Sequence, residues 1–395
     1  MFYFKCSACS KTYKRNEVKY LCPVCGEKYK PGIPLPGVLE AEFDYEYIKK
    51  EFDITKPDWN LFCAVEKKFF PDFAYGNTPF FRIAGSDKNF GFNNLWIKND
   101  VCNPSGSLKD RASFLVVAEA NRINENVIVT ASTGNAAGSL AAVCAVAGKK
   151  AVIFVPESIS EEKMYLLKLY GAEVTKVSGI YDDAYELSLV YTEEKGGLNR
   201  NTAYNPLTIE GKKTAGLEIF AQNNFKLPDV IVIPVGDGVV IRGIYKAFYD
   251  LKKSGLTGKI PKLICVQSEN SNAIHNFIVT GKYKNAENPQ TIADSISVKC
   301  PANAYLAKEA VTESGGFSVI VSDDEILESQ IILARTTGVF AEPSSSAVVA
   351  ALKKISENKE NYDVNQSEQI VMLVTGSGFK NISQVIGNYR KVDTK

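Results

Sequence analysis

Short β-branched runs alternate with amphipathic stretches along most of this chain, and no other feature limits its fold so strongly. The runs Val127–Ala131, Ala151–Val155, Val230–Val235, Leu263–Gln267 and Ile370–Val374 read as strands. Around them, Ala112–Asn124, Ala136–Ala147, Glu161–Tyr170, Ile241–Leu251, Asp324–Thr337 and Ser345–Ser356 carry apolar residues at helical spacing. Gly148, Gly171 and Gly338 stand where helices should stop, because a helix end favours a residue that can take positive φ. Repeated strand–helix alternation builds an α/β protein around a mainly parallel sheet. At 395 residues the chain is too long for one core, so two or three domains are expected.

Composition narrows the function classes. Hydrophobic residues make up 45% and charged residues 23%, which suits a folded globular protein and excludes a disordered one. The 46 basic and 45 acidic side chains leave +1, so no global field favours nucleic acid or an anionic membrane. No apolar run of about 18 residues is present to span a bilayer. The start, MFYFKCSACS, lacks the apolar core of a signal peptide, and a cytoplasmic protein is expected. The chain has 1 histidine, His275, expected to be structural. If the protein is an enzyme, a group other than imidazole moves its protons.

Cys6 and Cys9, then Cys22 and Cys25, form two CxxC knuckles. Four thiolates so spaced suit one tetrahedral zinc, and so short a segment needs the metal for its folding energy. A linker rich in Pro and Gly follows, from Pro31 to Gly37. The remaining cysteines, Cys102 among them, read as packing residues in a reducing compartment.

Four loops at strand ends or helix starts stand out: NPSGSLKDR (103–111), ASTGNAAGS (131–139), VGDGVVIRG (235–243) and VTGSGFKN (374–381). Ligands in α/β folds bind at such places. Lys109 stands at a helix start, where an amine can attack a carbonyl. The hydroxyls, the Asn135 amide and the backbone N–H groups of the second loop suit a carboxylate. Gly236 and Gly238 let the backbone approach a phosphate, although the spacing is not the dinucleotide fingerprint GxGxxG. A reactive lysine, a carboxylate site and a phosphate site together describe pyridoxal phosphate joined to an amino acid.

Several ordered motifs then carry a resemblance: GNTP at 76–79, NPSGSLKDR, STGN at 132–135, NPLTIEGKKT at 205–214, EPSSS at 342–346 and TGSG at 375–378. With the cysteine-knuckle start, they resemble the threonine synthase family of fold-type II pyridoxal-phosphate enzymes over almost the whole chain. The resemblance implies that Lys109 binds the cofactor covalently and then shuttles protons. It implies that Asn135 bonds the cofactor's phenolic oxygen, and that Ser132, Thr133, Asn135 and Ala136 line the substrate-carboxylate loop. Gly236, Asp237, Gly238, Val239 and Val240 match the phosphate cradle, and Thr375 matches the residue facing the pyridine nitrogen. A neutral hydroxyl there favours elimination or replacement over transamination. Glu342 falls in a loop expected near the ring, or serves as an acid at a helix start.

The resemblance implies an α/β fold with two α/β domains and a small zinc ribbon. The expected limits are 1–34 for the ribbon, 35–112 with 203–395 for a large cofactor-binding domain, and 113–202 for a small inserted domain. A homodimer is implied by the resemblance alone. The implied reaction is γ-elimination of phosphate from O-phosphohomoserine with water addition, giving threonine. The chain differs from the family's usual pattern at Ala136, Thr202, Ala203, Thr208, Val239 and Val240, and at Thr208 a phosphate-binding arginine is absent. A weaker grip on that substrate is therefore expected, with Thr208→Arg expected to tighten it provided its side chain points into the cleft, and Arg200 or Lys212 as substitutes. Two other readings stay open. One is a β-eliminating or β-replacing relative, threonine dehydratase-like or diaminopropionate lyase-like. The other is a zinc-ribbon binding protein on an inactive scaffold.

Overall fold

Pairing sorts the strands of the computed structural model, which describes residues 2–179, 181–382 and 387, into three sheets. β1 (Phe2–Cys6), β2 (Thr12–Tyr13) and β3 (Leu39–Phe43) form an antiparallel sheet in the order β2-β1-β3. β4 (Phe80–Arg82) pairs antiparallel with β5 (Leu95–Asn99) at one edge of a six-stranded sheet. β6 (Val127–Ala131), β7 (Lys150–Pro156), β8 (Glu173–Val177) and β9 (Leu198–Asn199) make a four-stranded parallel sheet in the order β8-β7-β6-β9. β10 (Val230–Pro234), β11 (Lys262–Ser268), β12 (Phe317–Val321) and β13 (Ile370–Val374) complete the six-stranded sheet, ordered β12-β11-β10-β13-β5-β4 and parallel except at β4.

The chain divides into two units. One comprises Met1–Gly76, Lys109–Thr214 and Lys246–Gly258 and holds the antiparallel and four-stranded sheets. The other comprises Asn77–Leu108, Ala215–Tyr245 and Lys259–Lys395 and holds the six-stranded sheet. The limits drawn from sequence, 1–34, 35–112 with 203–395, and 113–202, are a different partition. In particular, the ribbon's strand β1 pairs with β3, which lies beyond residue 34.

In the second unit, β10 and β13 are buried along their whole length. Helix Pro343–Glu357 packs on them, which is why they read as unbroken apolar runs. Gly148, Gly171 and Gly338 have φ of +63°, +79° and +73° and end their helices as expected.

In the first unit, four ionisable side chains share a buried interior. Lys213 bonds Glu210 at 2.5 Å and Asp250 at 2.9 Å, and Lys246 closes on the other oxygen of Asp250. Tyr45 donates to Asp250 at 2.8 Å, and the Lys213 ammonium lies 4.1 Å from the Phe43 ring centroid. Burial pushes the Asp250 carboxyl up, but the two ammonium groups outweigh it and hold it below its ordinary value. Glu210 goes the other way, because burial outweighs Lys213 and Lys246 there.

Candidate active site

Lys109 is the first residue of helix Lys109–Arg122. It is half-buried, and among the described residues its amine makes no ion pair or hydrogen bond. The peptide before it is firmly anchored. Leu108 N–H donates to the Thr375 carbonyl at 2.8 Å, Ser107 bridges to Gly376, and Ser377 N–H donates to the Gly106 carbonyl at 3.0 Å. Gly106 has φ +72°, and a Cβ there would meet Lys380 Cε at 2.9 Å. From the helix side, a Cβ at Gly211 would lie 2.3 Å from the Arg111 carbonyl oxygen. Helix Leu207–Gln222 therefore presses directly on the first turn that carries Lys109.

Ser132 and Thr133 lie between β6 and helix Asn135–Val146, which begins with Asn135 and Ala136 and packs beside the Lys109 helix. Ser132 Oγ accepts from Gly134 N–H at 3.2 Å and shapes the turn. The N–H groups of Thr133 and Ala136 donate to no acceptor among the described residues.

Gly236–Val240 follow β10 and open helix Val239–Lys253. The Asp237 carboxylate accepts from Val239 N–H at 2.9 Å. Among the described residues, no acceptor takes the N–H of Gly236, Gly238 or Val240. Gly238 has φ +88°, and a Cβ there would lie 2.8 Å from Ala307 Cβ. Thr375 directly follows β13, the neighbour of β10 in the sheet. Its hydroxyl lies 2.9 Å from Ser345 Oγ. Glu342 is buried at the start of helix Pro343–Glu357 and occupies the space a Gly376 side chain would need.

Two sequence expectations are revised. Thr208 is fully buried; its hydroxyl donates to the Asn205 carbonyl at 2.7 Å and accepts from Ala203 N–H at 3.1 Å. It fastens a turn in which Ala203 has φ +66°, so an arginine at 208 would break the turn before it reached a substrate. Cys102 is exposed, unlike the buried Cys144 and Cys265, and so is not a packing residue. His275 bonds Ser318 Oγ at 2.9 Å, and burial lowers its pKa, in keeping with a structural part. Ser345 and Gly211 were not singled out from sequence, although both lie inside quoted motifs.

Residues 72–376 match the family described as pyridoxal-phosphate dependent enzyme. The chain belongs to that family. A threonine synthase of Methanocaldococcus jannaschii is 35% identical over 391 residues, which cover 95% of this chain and 92% of the relative. A threonine synthase of Methanosarcina acetivorans is 34% identical over 397 residues, 98% of this chain and 94% of the relative. Maize serine racemase is similar with a TM-score of 0.68 at 21% identity, over 82% of this chain and 95% of that one. The processed threonine deaminase isoform 2 of Solanum lycopersicum gives 0.69 at 20% identity, over 92% and 98%. At those identities the structures speak for the fold, which is fold-type II.

For a pyridoxal-phosphate dependent enzyme, the residues present fit the cofactor. The unpartnered N–H groups of Gly236, Gly238 and Val240 sit at the start of a 15-residue helix, where the backbone dipoles favour a phosphate. The amine of Lys109 makes no bond among the described residues, and Thr375 carries a half-buried hydroxyl.

The four knuckle cysteines form a second cluster. Their sulfurs all lie within 4.8 Å of one another, and Cys9 and Cys22 are 3.8 Å apart. Zinc–sulfur bonds of about 2.3 Å in a tetrahedron put the sulfurs roughly 3.8 Å apart, so a zinc ion fits. Burial pushes the Cys22 thiol up, but the Tyr13 hydroxyl and backbone N–H groups bring it down to about 6. Gly37, read from sequence only as linker, closes the cluster: a Cβ there would lie 2.6 Å from Cys25 Cβ. Among the described residues, no helix is long and apolar enough to cross a membrane.

Proposed function

We propose that this enzyme converts O-phosphohomoserine and water to threonine and phosphate. The observation that carries the reading is similarity to a threonine synthase along 95% of the chain. When bound, pyridoxal phosphate supplies an aldehyde to hold the substrate amine and a conjugated ring to accept electron density from Cα. The chain supplies the rest. Lys109 holds the cofactor and then moves protons at Cα and Cβ of the substrate. The N–H groups of Thr133 and Ala136, with Ser132 and Asn135, orient the substrate carboxylate, and Asn135 bonds the phenolic oxygen of the cofactor. Gly236, Asp237, Gly238, Val239 and Val240 hold the cofactor phosphate, and Thr375 faces the ring nitrogen.

Arg200 or Lys212 takes the place of the absent phosphate-binding arginine. The Arg200 guanidinium is buried and bonds Ser113 and Thr202 at 3.2 and 3.0 Å, and Ser113 lies one helical turn beyond Lys109. Cys6, Cys9, Cys22 and Cys25 bind one zinc whose part is structural, because four thiolates leave no position for water. A homodimer completes the reading, following the resemblance of the motifs.

Phosphate release from O-phosphohomoserine, followed together with threonine formation, tests the reaction. Equimolar products are expected. Inertness toward O-phosphohomoserine with fast ketoacid release from serine or threonine would instead assign a β-eliminating lyase.

A further inference from the structure

We propose that Ser345 is a positioning residue that fixes the Thr375 hydroxyl as an outward-facing hydrogen donor. The inference rests on the reading that Thr375 faces the pyridine nitrogen. Ser345 Oγ accepts from Thr375 N–H at 3.0 Å and from Gly376 N–H at 2.8 Å. A hydroxyl oxygen has two lone pairs, and both are then used. Ser345 can make its remaining bond only through its own hydrogen. Thr375 Oγ1 lies 2.9 Å away, and the Gly376 carbonyl, at 3.4 Å, is the competing acceptor. The shorter contact takes the hydrogen.

Thr375 Oγ1 therefore accepts from Ser345, and its own hydrogen turns elsewhere. No other described residue bonds that hydroxyl. The Ser345 side chain is fully buried in the first turn of helix Pro343–Glu357, so water cannot reverse the direction of the pair. A ring nitrogen facing Thr375 meets a donor, and a nitrogen that accepts a hydrogen bond is one that carries no proton. The direction of one serine hydroxyl thereby helps keep the ring nitrogen neutral, and the backbone N–H groups of residues 375 and 376 set that direction.

The test loads the enzyme with pyridoxal phosphate labelled with nitrogen-15 in the ring and reads the nitrogen resonance by magnetic resonance, with kcat and KM alongside. The wild type should show an unprotonated, hydrogen-bonded nitrogen. Thr375→Val should move the resonance to that of a nitrogen without a donor. Ser345→Ala should move it part of the way and lower kcat about two- to tenfold with KM little changed, the loss of one orienting hydrogen bond. In the Thr375→Val background, Ser345→Ala should add nothing to either readout. If Ser345→Ala does not fold, Ser345→Cys, close in size but a weak donor, is read by the same criteria.

An unmoved resonance in a folded Ser345 variant overturns the inference, as does an equal kcat loss in both backgrounds. If Thr375→Val itself leaves the resonance unmoved, the placement of Thr375 at the nitrogen fails first. If Thr375→Val moves it and the Ser345 variants do not, only the part given to Ser345 fails.

Discussion

At the scale of single residues, the proposed chemistry centres on Lys109. The fold spends a run of backbone hydrogen bonds on the three residues before it and a glycine contact on the turn after it, yet makes no bond to its amine among the described residues. That pattern suits a group that must be placed but left free to react. Lys109→Ala should abolish covalent cofactor attachment and lower turnover by roughly 10²–10⁴-fold or more. Borohydride reduction of the wild type followed by peptide mapping should label Lys109, and a label on another lysine would refute the assignment. The same scale explains why substrate-loop reasoning failed at Thr208. Aligned on a motif, that position looked like a missing ligand. Burial and two short hydrogen bonds, neither visible in sequence, make it a fastener of the Ala203 turn.

Among elements, helix Leu207–Gln222 governs where the lysine helix sits. With no side chain at Gly211, its backbone lies against Arg111 and Ala112. Gly211→Ala should cost about 1–3 kcal/mol by overpacking and disturb cofactor attachment at the same time. Thermal melts with and without cofactor, read against borohydride labelling, check both effects. This helix was not legible as an element. Glu210, Lys212 and Lys213 are buried on it, which interrupts the apolar period that marks ordinary helices. β5, sequence LWIKN, was also missed; its Lys98 is fully buried and bonds Glu218 and Gln222 at 2.6 and 2.7 Å. By contrast, Val127–Ala131 and Ile370–Val374 were placed to the residue, because strands buried on both faces write themselves as apolar runs. The motifs proposed for the site stood out in sequence because they fall in loops next to strands and helix starts, where glycine and hydroxyl residues are favoured.

On the scale of the whole molecule, the buried ion network and the ribbon tie distant parts of the chain together. Asp250 joins Lys213, Lys246 and Tyr45, which come from three separate stretches of sequence. Removing one charge from such a group typically costs about 3–5 kcal/mol, and Asp250→Asn should do so at neutral pH. A carboxyl held below its ordinary value adds stability above that value and loses it as the pH falls toward the folded one. Melting temperature should therefore fall less steeply below about pH 4 in the variant than in the wild type; an identical acid slope would refute the part given to Asp250. The ribbon yields to a different probe. Zinc should be present at one per chain and lost in a Cys6→Ala, Cys22→Ala double variant, while Lys109 still captures the cofactor; elemental analysis decides it, and stoichiometric zinc in the variant would refute the ligand set. The pairing of β1 with β3 carries one more consequence. All of β3 lies within hydrogen-bonding register of β1, and Leu39, Ala41 and Phe43 are buried there. A shortened chain beginning near residue 36 would bare this strand's edge together with that apolar surface, and such an edge recruits other copies. The two knuckles thus guard solubility as well as shape, and anyone trimming the protein for crystallisation should expect precipitate in place of a smaller enzyme.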